Sequence, residues 1–96
     1  MLFTVICKDK VDHLDVRMEN RPAHLEFLAG LGDKLKAGGP FTDDDDTPIG
    51  SMLVIEAADR AEIEDLAGRD PYAKAGLFQS VEITVWKWLL KNPESS

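Results

Sequence analysis

The chain has 96 residues, 44% of them hydrophobic and 30% charged, with 11 Lys and Arg against 18 Asp and Glu for a formal net charge of -7 at pH 7. That is the size of one small domain and the balance of a packed chain, which excludes disorder throughout and leaves no room for a catalytic domain plus a separate partner-binding one. The charge repels phosphate backbones and anionic lipid, and the single cysteine, Cys7, forms neither an internal disulfide nor a thiolate zinc site, so no nucleic acid, membrane or metal partner is expected.

Leu2 to Cys7 (LFTVIC) is rich in β-branched and aromatic residues and reads as the first strand. Helical spacing begins near Leu14, and Pro22 is expected in the first turn of the main helix, where its missing N–H costs little. His24, Phe27, Leu28, Leu31 and Leu35 then recur at three- and four-residue intervals on one stripe, and Ala37-Gly38-Gly39-Pro40-Phe41 is expected to end the helix. Thr42 to Gly50, with four aspartates at Asp43 to Asp46, reads as a polar loop, and Ser51 to Ala57 as a strand. Asp59 with Glu62 forms a capping-box pattern at the head of a second helix carrying Ile63, Leu66 and Ala67. Asp70-Pro71 opens a short turn, and Ser80 to Leu90 reads as a long final strand.

With a short strand near Gly39 to Phe41, this order is an α+β, ferredoxin-like split βαβ pattern with an antiparallel sheet. One domain is expected over residues 1–92, followed by a short polar tail at 93–96. Both faces of the first and third strands are largely apolar, while the helices cover only one. A second copy of the sheet is the economical cover for the other, so a homodimer is expected, with Trp86 and Trp88 facing that side. No apolar run approaches the ~20 residues that cross a bilayer, and the first residues lack the basic start of a secretory signal, so a cytoplasmic protein is expected.

Among polar residues, His24 lies on the core-facing stripe. It is either a buried structural histidine satisfied by a carbonyl or a general acid or base at the edge of a pocket. Asp70 is the candidate carboxylate beside it and also an N-cap before Pro71; the two roles are compatible. His13, in a polar stretch, reads as a solvated loop residue. The Asp43 to Asp46 run lacks the alternating ligands and turn glycine of a calcium loop, and no glycine-rich phosphate motif precedes a helix, so no cofactor is expected.

Arg21-Pro22-Ala23-His24-Leu25, Ala37-Gly38-Gly39-Pro40-Phe41 and Asp70-Pro71-Tyr72-Ala73-Lys74-Ala75-Gly76-Leu77-Phe78, in that order, resemble the YCII-related (YciI-like) family over nearly the whole chain. The resemblance implies a dimeric α+β barrel with a cleft lined by a His and an Asp, matching His24 and Asp70. It places Arg21, Gly39, Pro40 and Tyr72 in the matched motifs as cleft-lining, substrate-binding positions. It also implies kinship with dimeric barrels that handle small ring compounds and lactones. The aspartate loop departs from the family pattern, and no role transfers to it.

The expected function is a small cofactorless enzyme in which Asp70 orients His24 and His24 moves a proton on a small organic substrate, with Arg21 placed to hold a carboxylate or enolate. The alternative is a non-catalytic small-molecule-binding or accessory module built on the same cleft and dimer.

Overall fold

Burial alternates along Leu2–Asp9 (β1), with Phe3, Val5 and Cys7 turned inward. In the computed structural model, which describes residues 1–94, β1 is an inner strand of a four-stranded sheet ordered β2-β3-β1-β4. The remaining strands are Leu35–Thr42 (β2), Pro48–Glu56 (β3) and Phe78–Trp86 (β4). Every pairing is antiparallel. Helix Leu14–Gly30 (α1) joins β1 to β2, while helices Arg60–Arg69 (α2) and Pro71–Lys74 (α3) join β3 to β4. The expected α+β ferredoxin-like architecture is present.

The core sits between one sheet face and the helices. Phe3, Val5, Cys7, Leu53 and Ile55 from the sheet meet Ile63 of α2, with Leu28 and Leu66 packed at the margin. Asp59 caps α2 by accepting from the Glu62 backbone N–H at 2.9 Å, and the Glu62 carboxylate accepts from Ala58 N–H at 3.3 Å, one residue short of the full reciprocal box. The other sheet face carries the register pairs Ile6 with Met52, Thr4 with Val54 and Leu2 with Trp86. Met52 and Trp86 are exposed there, whereas Val54 is buried.

Several sequence-based boundaries move. Pro22 lies inside a 17-residue helix rather than in its first turn. Its exposed position lets α1 continue without the hydrogen bond that proline removes. The helix stops at Gly30, and Leu31 leads into a 3₁₀ turn at Gly32–Lys34, where Gly32 adopts φ +57°. Leu35 therefore begins β2 instead of extending the helical stripe. Gly38, Gly39 and Pro40 belong to that strand, which tolerates a proline because β2 is a sheet edge. The aspartate loop shrinks to a tight hairpin connection in which the Asp43 side chain accepts from the N–H groups of Asp45 and Thr47. Strand β4 begins at Phe78 and ends at Trp86, so Trp88 lies beyond it, 5.8 Å from the Trp86 ring. The segment after β4 returns toward the opposite sheet edge, where Glu94 meets Lys36 at 2.8 Å; Ser95 and Ser96 of the expected tail lie outside the described residues.

Candidate active site

Helix α1 presents Arg17, Arg21, His24 and Leu28 at four-, three- and four-residue steps, so they form one stripe over β2 and β3. A cleft of about 360 Å³ opens between that stripe and the sheet edge, within the roughly 300–1,000 Å³ of small-molecule sites. Met18, Leu25, Leu28 and Leu53 supply its apolar wall.

Behind this wall, His24 Nδ1 lies 2.8 Å from Asp70 Oδ1, and both side chains are buried. The same Asp70 oxygen accepts the Tyr72 backbone N–H at 3.0 Å. A carboxylate only accepts, so the imidazole donates from Nδ1. Among the described residues Nε2 has no protein partner, yet no buried side-chain nitrogen is left unsatisfied, so Nε2 keeps accessible surface on a side chain that lines the cleft. The Tyr72 ring stacks on the imidazole at 3.9 Å and 14°, which fixes the ring plane. Capping and holding the histidine are thus the same act for Asp70, performed as N-cap of α3 with Pro71 at the first helical position.

A second buried group adjoins this one, and sequence reasoning missed it. Arg17 donates to both carboxylate oxygens of Asp9, at 2.7 and 3.0 Å, and to Ser51 Oγ at 2.8 Å. Its guanidinium carbon lies 4.7 Å from the centre of the Tyr72 ring. Burial opposes the Arg17 charge, but the bonds and charge of Asp9 outweigh it and raise the guanidinium pKa. Burial also pushes the Tyr72 phenol pKa up, against the opposing charges of Arg17 and Arg21, so Tyr72 stays protonated at neutral pH. Arg17 sits seven residues before His24, two turns along the same helical stripe, a signal that expecting Pro22 in the first turn of the main helix obscures.

The other expected positions lie on the same cleft. Arg21 is exposed on the α1 side and Tyr72 lies between the helices and the cleft. Pro40 and Gly38 pair with Ser51 and Leu53 and so share the cleft face of the sheet. Gly39, paired with Met52, lines the cleft through its backbone. At Gly38 a Cβ would come within 2.8 Å of Leu53 Cδ2, so any side chain there would press into this wall. His13 bonds the Val11 carbonyl at 2.8 Å, away from the cleft. Among the described residues no group of three His, Cys, Asp or Glu side chains stands together as metal ligands, and no helix is long and apolar enough to cross a membrane.

A family model for the YCII-related domain matches residues 1–87. The chain belongs to the YCII-related family. It is 34% identical over 95 residues to Protein YciI of Escherichia coli O6:H1, covering 91% of this chain and 97% of that protein. It is 32% identical over 74 residues to the "Derivative of benzaldehyde biosynthesis cluster protein C" of Emericella nidulans, covering 68% and 76%. Among solved structures, it resembles the 5-chloro-2-hydroxyhydroquinone dehydrochlorinase TftG of Burkholderia phenoliruptrix AC1100, captured with 2,5-dihydroxybenzoquinone. That likeness has a TM-score of 0.85 at 38% identity, covering 91% of this chain and 94% of that one. An antibiotic biosynthesis monooxygenase at 14% identity and TM-score 0.57 shares the fold. This YCII-related chain is therefore a small enzyme-like ferredoxin fold.

Proposed function

We propose that this protein catalyses proton transfer on a small hydroxylated ring compound, with His24 as the acid–base group and Asp70 as the residue that orients and balances it. One observation carries this reading: Nδ1 of His24 is committed to Asp70 at 2.8 Å while Nε2, without a partner among the described residues, keeps accessible surface on a side chain that lines the cleft. A histidine placed only for structure would have no need of a free nitrogen on a cavity. The apolar wall, with Tyr72 beside it, suits a planar ring. Similarity to a dehydrochlorinase seen with a dihydroxybenzoquinone supports the same substrate class.

Elimination of HCl from a chlorinated hydroxyhydroquinone fits this equipment. The ring carbon bearing chlorine gains a proton, the C–Cl bond breaks with its electron pair leaving on chloride, and two ring hydroxyls give up protons as the quinone forms. One of those protons replaces the chlorine on carbon and the other leaves as HCl, so no oxidant, reductant or cofactor is consumed. His24 handles protons at Nε2, and Asp70 steadies the imidazolium that forms in between. Arg21, Gly39, Pro40 and Tyr72 would bound the substrate.

Chloride release from 5-chloro-2-hydroxyhydroquinone under anaerobic conditions tests the proposal. Release well above the uncatalysed rate is expected, falling about 10²–10⁴-fold in His24→Ala. A wild-type protein that binds the ring but leaves chloride release at background would instead be a non-catalytic binding module.

We also propose that a second copy covers the apolar sheet face, with Leu2, Ile6, Met52 and Trp86 in the contact.

A further inference from the structure

The cleft does not share the charge of the chain around it. Acidic residues outnumber basic ones by 18 to 11, yet among the described residues no Asp or Glu side chain lines the cavity. Its ionisable lining consists of Arg17, Arg21, His24 and Tyr72. Two of these are already matched from behind: Arg17 by both oxygens of Asp9, and His24 by Asp70. Arg21 is different. It forms no ion pair among the described residues. It lies one turn along α1 from Arg17 and three residues before His24, on the face that meets the cavity. Its charge reaches the Tyr72 phenol, where it opposes the effect of burial.

From this arrangement we infer that the cleft selects ring compounds carrying a negative charge on a ring oxygen or carboxylate, and that Arg21 is the residue that reads the charge. The inference rests on the cleft being the ligand site, though not on turnover. An uncompensated guanidinium beside an apolar cavity concentrates anions there and offers a flat pair of donors to an enolate or carboxylate. The apolar wall holds the ring while Arg21 holds its charged edge. A neutral ring of the same size gains only the first of these.

Calorimetric titration with two rings tests it. In 2,5-dihydroxybenzoquinone each hydroxyl is conjugated through a ring double bond to a carbonyl, a vinylogous carboxylic acid that is ionised at neutral pH. Hydroquinone keeps both phenols protonated there. The wild-type protein should bind the ionised ring about tenfold to a hundredfold more tightly, and this preference should collapse in Arg21→Gln and partly return in Arg21→Lys. Added salt should weaken binding of the anion and leave that of hydroquinone unchanged. Equal affinity for the two rings, an unchanged ratio in Arg21→Gln, or no binding of the ionised ring at millimolar concentration would overturn the inference. An unchanged ratio in Arg21→Gln, with chloride release that depends on His24, would sink this inference and leave the proton-transfer reading standing. A preference lost in Arg21→Gln in a protein that never releases chloride would do the reverse.

Discussion

Asp70 Oδ1 accepts from two donors at once, the His24 imidazole and the Tyr72 backbone, so one oxygen sets both the start of α3 and the orientation of the histidine. Cys7 lies on the same inward face of β1. Burial pushes its thiol from an ordinary 9.0 up to about 12, the charges of Asp70 and Asp9 add to the rise, and Arg17 opposes it. A thiol raised in the folded state stays protonated while the unfolded chain ionises. Its contribution to stability is therefore complete below the unfolded pKa of 9.0 and is lost as pH climbs toward 12. Melting curves between about pH 7 and pH 10 should show stability falling by up to about 1.4 kcal/mol per pH unit at the alkaline end, with a shallower fall in Cys7→Ala. An identical slope in the variant would show that Cys7 is not the titrating group. His24 and Asp70 were legible in the sequence because each sits in a local pattern, one on a helical stripe and the other before a proline. The Arg17, Asp9 and Ser51 group was not, because its members come from three elements that only the sheet register brings together.

Between elements, the pair of Arg17 with Asp9 ties the end of β1 to the first turns of α1, and Ser51 adds β3. Both charged side chains are almost fully buried, at 5% and 7% exposure, so neither tolerates loss of the other. Asp9→Ala leaves the guanidinium desolvated and unpaired and should cost about 3–5 kcal/mol in urea unfolding. The double variant Arg17→Met with Asp9→Ala should recover much of that loss, since it removes both charges together. A single variant as stable as wild type would mean that water reaches Arg17. At this scale the short strand expected near Gly39 to Phe41 is present but longer, and reading Ala37 to Phe41 as the helix stop placed the end of α1 too late. Gly38, Gly39 and Pro40 instead form an edge strand, which needs no N–H at Pro40 and leaves a shallow wall beside the cleft. The helix stops at Gly30, and the left-handed Gly32 turns the chain so that Leu35 opens β2 opposite Ile55.

For the whole molecule, a chain of this length whose outer sheet face carries Leu2, Ile6, Met52, Val54 and Trp86, interrupted by Thr4, Thr84, Glu56 and Glu82, has a reason to associate. Sedimentation at micromolar concentration should give twice the monomer mass, and Ile6→Glu, which places a charge on that face opposite Met52, should shift the protein toward monomer. A monomer in the wild-type protein would contradict the proposal that a second copy covers the face. The doubly apolar strands that pointed to this association were readable because side chains alternate strictly along a strand. The end of β4 was not, since Lys87 to Leu90 continue an apolar pattern beyond the last residue that finds a sheet partner, Trp86 opposite Leu2.

In the proposed reaction His24, held by Asp70, moves protons to and from a ring bound in the cleft. Hydrogen–deuterium exchange at the ring carbons of 2-hydroxyhydroquinone, followed by proton NMR in anaerobic D₂O, measures that step without requiring a leaving group. Exchange should be accelerated by the wild-type protein, lost in His24→Ala and reduced at least about tenfold in Asp70→Asn, with both variants folded. Exchange that persists undiminished in His24→Ala, or a wild-type protein that binds the ring without accelerating exchange, would contradict it.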